Sequence, residues 1–577
     1  MKTAPQKKTQ RRILMVQILL VGCLCFLGAK SFEVQIFEAR DLTEKAEQSY
    51  SKDLTIKGER GQILDRNLNE LGTNIDAPTI TADPSQIRNT AQAAKDLARI
   101  LKTDEKSVKE KLSRRGRFTM IARKVSTAQA DQIRALKLQG IYFENDSKRF
   151  YPNRDLAAQV IGFTGENDSG LEGLEFKYND ILDGDIVNIK VRRDGAGRVL
   201  DINQNPRMEL KGNSIVLTID KKIQFLSERT LEQTVRDHRA KSGMALVMKP
   251  STGELLAIAH YPGFNPNNYM SSDKDTYRNR ALTDAFEPGS IIKVFTAAAA
   301  LEKGFTPKSI FFCEKGEYRI GRFTIHDTHP REWLTLNQIV QFSSNIGAAK
   351  ISETIGKEAL HYYLAGFGFG DKTDVGCPGE TNGTLLPHEK WSNIDAGAIS
   401  FGQGLAVSSL QLISGISPIA NGGMLMKPML IKKIISNTGN ELEVFAPTRL
   451  RQIISPKTAA QVKHMMNLVV QEEGTGTKAA MEGYAVCGKT STAQKASTGQ
   501  AGYAKNKYIS AFAGFAPQEN PELAILVVID EPQKQHYGGD VAAPAFKTIL
   551  AKSFNYLNIA PERTKSMIAA VTKGEKN

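Results

Sequence analysis

The chain has 577 residues, 41% of them hydrophobic and 24% charged, a composition that supplies a large buried core and excludes both a disordered chain and a single small module. Its formal net charge of +14 would suit a polyanion partner if the excess were clustered. Lys2, Lys7, Lys8, Arg11 and Arg12 crowd the first twelve residues without an acid, but the rest of the excess is spread thinly and forms no basic tract, so no nucleic-acid partner is expected.

In chain order, residues 1–12 read as a basic tail and residues 13–29 as an uncharged apolar run at the short limit for a membrane-spanning helix. The positive-inside rule keeps the basic end in the cytoplasm and exports the bulk of the chain. Two alternatives are a cleaved signal peptide and a lipobox, Leu20-Val21-Gly22-Cys23. Leu27 fits a cleavage site poorly and the apolar run continues past Cys23, which favours an uncleaved anchor. Only Cys313, Cys377 and Cys487 then face an exported compartment. Their wide spacing supports neither a disulfide framework nor a zinc site, Cys487 reads as core, and a bridge between Cys313 and Cys377 stays open.

Residues 31 to about 53 are charged and helix-compatible, and 59–67 form a short extended segment punctuated by Gly and Asn. Amphipathic helical patterns at 91–112 and 128–138 flank a basic stretch, 114–124, whose Arg114, Arg115 and Arg117 read as a solvated turn. The texture changes near residue 210, predicting an α+β domain over 31–210, a second domain over 211–560 and a tail over 561–577. In the second domain 214–219 alternates like a strand, 222–235 has a helical period, and the apolar runs 244–248 and 255–258 around Pro250-Ser251-Thr252-Gly253 read as a hairpin. Further strands are expected at 485–489, 509–515 and 523–529, with a largely helical block over 290–425.

Three short patterns carry chemistry. Ser-x-x-Lys on a helix sets a hydroxyl and an amine one turn apart, so that the amine can take the hydroxyl proton. It occurs at Ser49/Lys52, Ser271/Lys274 and Ser290/Lys293. Only the last has Glu287-Pro288-Gly289 before it and an Ala-rich helical run after it. That context places Ser290 at a helix N-terminus, where free N–H groups favour negative charge, although a plain helix cap has the same appearance. The second pattern is Ser343-Ser344-Asn345, a hydroxyl and a carboxamide that can shuttle a proton and hold an amide; Ser-x-Asn recurs at Ser553/Asn555. The third is Lys489-Thr490-Ser491-Thr492, a cation and hydroxyls suited to a carboxylate. Each is weak alone, and their order and spacing in one exported chain give the set its weight. His326-Asp327-Thr328-His329 could suggest a metal, but Pro330 follows directly and the segment reads as a loop.

These residues resemble the Ser-x-x-Lys, Ser-x-Asn and Lys-[Thr/Ser]-Gly elements of the penicillin-binding proteins. Arg60-Gly61 to Asp65-Arg66-Asn67, Arg149-Phe150-Tyr151-Pro152, 170–175, Phe401-Gly402-Gln403-Gly404 and Tyr537-Gly538-Gly539 are similar to class B members, most of all the septal, cell-division enzyme. The resemblance implies a mixed α+β fold: a serine acyltransferase domain with an antiparallel sheet flanked by helices, preceded by an elongated pedestal and one inner-membrane anchor. It implies a D,D-transpeptidase that cross-links peptidoglycan stem peptides in the periplasm and is inhibited by β-lactams, without metal or cofactor. Ser290 would be the nucleophile, Lys293 the general base, Ser343 a proton relay, Asn345 the holder of a substrate amide and Lys489 an electrostatic and carboxylate-binding group. Thr490, Ser491 and Thr492 would line the substrate, with the N–H groups of Ser290 and Thr492 as the oxyanion hole. Implied partners are a polytopic glycan-polymerising membrane protein and other division proteins. The alternatives are an elongation enzyme, a D,D-carboxypeptidase or β-lactamase-type hydrolase, and a non-catalytic scaffold. Ser491 departs from the family's Gly, and retained activity is expected because Ser is small and the following residues continue the pattern.

Overall fold

The computed structural model describes residues 4–192, 209–321, 323–496 and 502–562. Lys2, part of the expected pedestal and most of the expected C-terminal tail lie outside the described residues. Two compact units are present, one formed by residues 1–59 with 184–211 and the other by residues 60–183 with 212–577.

In the smaller unit the apolar run belongs to a helix, Ala4–Phe32. The stretch Lys7–Phe37 is long and apolar enough to cross a membrane, and its side chains are bare of protein contacts that would bury them. Helix Ala39–Tyr50 follows, and strand Ser51–Lys57 pairs antiparallel with Ile186–Arg192.

In the larger unit, residues 79–144 form a small layered body. Strand Thr79–Ala82 lies between Thr119–Ala122 and Ile141–Glu144, and helices close one side over Ile80, Leu97, Val108 and Ile133. The pattern expected as one helix over 91–112 is two, Thr90–Leu101 and Glu105–Leu112. Lys102 turns left-handed, at φ 54°, and Asp104 accepts a hydrogen bond from the backbone N–H of Ser107 at 3.0 Å, so a local cap starts a second helix. The second pattern is shorter than read, Thr127–Ala135, and begins at a capping box from Ser126 and Gln129. Arg114, Arg115 and Arg117 are exposed, as a solvated turn requires.

The main body of the larger unit is built from α1 (Lys221–Asp237), β1 (Ser242–Lys249), β2 (Glu254–Tyr261), α2 (Lys293–Glu302), α3 (Asn345–Ile355), α4 (Ser409–Ala420), α5 (Pro456–Val470), β3 (Cys487–Ala496), β4 (Tyr503–Ala516), β5 (Leu523–Asp530) and α6 (Gly538–Tyr556). The five strands form one antiparallel sheet in the order β2-β1-β5-β4-β3. Its central strands are apolar at nearly every position because both faces are covered. Leu246, Met248, Leu526 and Val528 pack with Phe295 of α2, Leu410 of α4 and Met465 of α5. Ala245, Val247, Ile525 and Val527 pack with Ile223 and Leu231 of α1 and with Phe546 and Ile549 of α6. The expected hairpin is β1–β2, and the three expected later strands are β3, β4 and β5. The block over 290–425 is mainly helical but also carries short strand pairs, among them Glu317–Ile320 with Phe323–His326.

A six-stranded sheet runs through both sequence regions of this unit, with Ile63–Leu64 pairing parallel to Ile215–Val216. Beside it the distant family-like segments converge. Glu175 accepts from Arg60 Nε at 2.6 Å and Arg149 Nε at 2.7 Å, and also from the Tyr151 hydroxyl at 3.2 Å, with all four residues buried. Cys313 and Cys377 are buried free thiols, as is Cys487.

Candidate active site

Ser290 sits in a 3₁₀ turn, Gly289–Ile292, that runs directly into α2. The i to i+3 spacing aims Lys293 back at Ser290, with Nζ 3.0 Å from Oγ. Ser343 ends the preceding helix in a left-handed conformation at φ 61°, uncommon for a residue with a side chain and often a functional strain. This twist presents both its carbonyl and its hydroxyl to Lys293, at 2.6 and 3.1 Å, while Asn345 Oδ1 lies 2.7 Å from the same nitrogen. On the opposite side Lys489 Nζ, on β3, is 2.9 Å from Ser343 Oγ and 3.2 Å from the carbonyl of Thr490. Residues 290, 293, 343, 345 and 489 thus form one hydrogen-bonded array.

Lys293 is 1% exposed and Lys489 fully buried. Burial lowers Lys293 to about 7, opposed by the negative charge of Asp327. Lys489 is held well below the ordinary lysine range by burial and then by the charge of Lys293. Four oxygens surround the Lys293 nitrogen: the Ser343 carbonyl and Asn345 Oδ1 can only accept, whereas the Ser290 and Ser343 hydroxyls can accept from an ammonium or donate to a neutral amine.

The cleft above this array has a volume of about 1000 Å³ and is lined by Ser290, Ser343, Asn345, Thr490, Ser491 and Thr492, among others. The Thr490 hydroxyl pairs with that of Thr475 at 2.8 Å, and Thr492 Oγ1 accepts from the Gly538 N–H at 3.0 Å. A side chain on Gly538 would collide with the carbonyl oxygens of Ser491 and Ala511, so glycine lets the start of α6 lie directly on β3. The Ser491 hydroxyl points away from these groups and donates to the carbonyl of Pro288 at 2.7 Å. Asn345 spends its Nδ2 on the carbonyl of His326 at 2.9 Å, so both ends of its amide are engaged.

Sequence reading passed over Asp327 as part of a loop. Its carboxylate accepts from Ser344 Oγ and the Asn345 N–H, each at 2.5 Å, and from the Ile346 N–H at 3.1 Å. It therefore holds the N-terminus of α3, where a negative charge suits the helix dipole, and aims Asn345 at Lys293. The contact crosses from the end of a hairpin to a helix start, and no local spacing announces it. His326 and His329 line the cleft, and among the described residues no three His, Cys, Asp or Glu converge as a metal site.

Residues 243–551 match the penicillin binding protein transpeptidase domain and residues 55–217 the penicillin-binding protein dimerisation domain. This chain belongs to the penicillin-binding protein transpeptidases. It is 35% identical over 568 residues to stage V sporulation protein D of Bacillus subtilis, covering 96% of this chain and 87% of that protein. It is 34% identical over 571 residues to peptidoglycan D,D-transpeptidase FtsI of Escherichia coli K12, covering 97% and 93%. Penicillin binding protein 3 of Mycobacterium tuberculosis, solved in complex with aztreonam, superposes with a TM-score of 0.69 at 27% identity, over 88% of this chain and 98% of that one. The resemblance carried by the three motifs and the mixed α+β fold it implied are those of this penicillin-binding protein. Its N-terminal helix, long and apolar enough to cross a membrane, fits a membrane anchor.

Proposed function

We propose that this penicillin-binding protein is a septal peptidoglycan D,D-transpeptidase working through an acyl-enzyme on Ser290. The observation that supports it most is the array in which Lys293 and Lys489, both buried, meet at Ser343 beside Ser290. In acylation Ser290 Oγ attacks the penultimate D-Ala carbonyl of a donor stem peptide while its proton passes to the neutral amine of Lys293. The carbonyl π pair moves onto oxygen, facing the N–H groups of Ser290 and Thr492. Collapse restores the carbonyl and breaks the C–N bond, and the departing amine of D-Ala takes a proton delivered through Ser343. An acceptor stem-peptide amine then attacks the ester, gives its proton back along the same path, and releases Ser290. Asn345 would hold the donor amide and Thr490 and Thr492 its terminal carboxylate, while Lys489, fully buried and off the cleft lining, would act through the Ser343 hydroxyl and not by touching the carboxylate.

In this reading the basic N-terminus stays in the cytoplasm of a bacterial cell and the catalytic domain works in the periplasm. The region over 31–210 serves as a pedestal and docking surface for a polytopic glycan-polymerising membrane protein and other division proteins, and the catalytic domain spans 211–560. A β-lactam should acylate the same oxygen. Incubating the full chain in detergent with a fluorescent penicillin, alongside Ser290→Ala, should give a stable adduct mapping to Ser290 by mass spectrometry and none in the variant. Label elsewhere, or none in a folded protein, defeats the proposal. Depleting the protein in cells should yield filaments; rounded cells would assign it to elongation instead.

A further inference from the structure

Ser491 stands where the family's third motif has glycine, and its side chain is not idle. It is 2% exposed, and its hydroxyl donates to the carbonyl of Pro288 at 2.7 Å. Pro288 is two residues ahead of Ser290, and Gly289 between them has φ 54°, where a Cβ would lie 2.5 Å from Ser491 Oγ. Among the described residues β3 is the last strand of its sheet, with a ladder to β4 alone, and its other edge faces the nucleophile turn. That turn is also fastened to the segment after residue 400, by the Gly289 N–H to the Gly402 carbonyl at 3.1 Å and by Glu287, which accepts from the Gly404 N–H at 2.9 Å, and Glu287 accepts as well from the Tyr503 hydroxyl at the start of β4, at 3.0 Å. The Ser491–Pro288 bond ties the turn to the free edge of β3.

The two backbone donors assigned to the oxyanion belong to different elements, Ser290 to the turn and Thr492 to the strand. The hydrogen bond from Ser491 to Pro288 makes a short path between them: from the Ser290 nitrogen back through Gly289 to the Pro288 carbonyl, across to the Ser491 hydroxyl, and on through one peptide to the Thr492 nitrogen. An oxyanion hole works only when its donors are held in advance at the separation the developing charge needs.

We propose that Ser491 is a positioning residue whose bond to Pro288 sets the gap between the Ser290 and Thr492 N–H groups, and so fixes how strongly this site polarises a bound acyl carbonyl. The inference rests on the acyl-enzyme reading above. It also gives the departure from glycine a function in place of mere tolerance.

The test uses the full chain in detergent with a penicillin, comparing wild type with Ser491→Ala, Ser491→Gly and Ser491→Cys. Stopped-flow fluorescence reads the acylation rate, and difference infrared spectroscopy reads the carbonyl stretch of the penicilloyl ester. Deleting an oxyanion donor costs on the order of 10²–10³ in rate, and a donor displaced but not lost keeps part of its effect, so acylation should slow by about tenfold in the alanine and glycine variants. Their ester carbonyl band should move to higher wavenumber and broaden, because the bond is less polarised and its donors less fixed. Cysteine, with a weak S–H donor of similar size, should fall between, and it replaces alanine in the comparison if that variant does not fold. A carbonyl band and a rate unchanged from wild type in a folded variant overturn the inference, as does faster acylation by the glycine variant with an unchanged band, which would make Ser491 only an obstruction. A wild-type chain that forms no ester overturns the acyl-enzyme reading itself, and the inference with it.

Discussion

In the proposed reaction the base is a single nitrogen, that of Lys293, and its environment makes a pH-dependent prediction. Burial lowers it to about 7, and Asp327, at the hairpin end, is the charged group that opposes the shift. With the neutral amine as the proposed base, the competent fraction grows as pH rises through the pKa, so acylation should rise with pH around a midpoint near neutrality. Asp327→Asn removes the negative charge that favours the ammonium while keeping an acceptor at the start of α3. The midpoint should then move to lower pH, and a midpoint that stays or rises would show that the carboxylate acts only as a cap. At this scale Ser290, Lys293, Ser343, Asn345 and Lys489 were all legible, because each belongs to a short local pattern with its own chemistry. Asp327 was not, since its partners lie 17 to 19 residues away across a hairpin end and share no period with it.

Among the elements, the 3₁₀ turn under Ser290 is the most demanding. Gly289 needs a left-handed backbone and lacks room for a side chain against Ser491 Oγ. Gly289→Ala should therefore shift the nucleophile and slow acylation by about a hundredfold, since a misplacement near 1 Å costs that much. Adding Ser491→Ala removes the atom in the way and should recover part of the loss, a coupling that a double-mutant cycle reads directly. Additive losses would mean that the strain of the left-handed backbone alone is responsible. The strands β1, β2, β4 and β5 were visible as apolar runs because burial on both faces writes them into the sequence. The helix expected over 91–112 was misjudged because its apolar period continues across a cap at Asp104 that stops one helix and starts another.

At the scale of the whole molecule, Glu175 joins parts of the chain that are far apart in sequence. It is the buried anion between Arg60 and Arg149, whose side chains are each 2% exposed. Removing one partner of such a set leaves buried charge uncompensated, so Glu175→Ala should destabilise the larger unit by about 3–5 kcal/mol. Chemical denaturation of the full chain in detergent should show this as an earlier transition, and an unchanged midpoint would mean that water or local rearrangement replaces the carboxylate.

The sequence by itself determined the family, the apolar N-terminal helix, the strand and helix types of the catalytic body, and five residues that the structure brings into one hydrogen-bonded array. All of these are properties of residue identity at short spacing, where helical and strand periods and one-turn pairs are written locally. Only the tertiary structure decided the strand order, the burial that lowers Lys293 and Lys489, the grip of Asp327 on α3 and the tie from Ser491 to Pro288. Desolvation and long-range hydrogen bonds exist only once segments such as 287–293, 327, 343–345 and 489–492 pack against one another, and no local pattern encodes which distant group will be the neighbour.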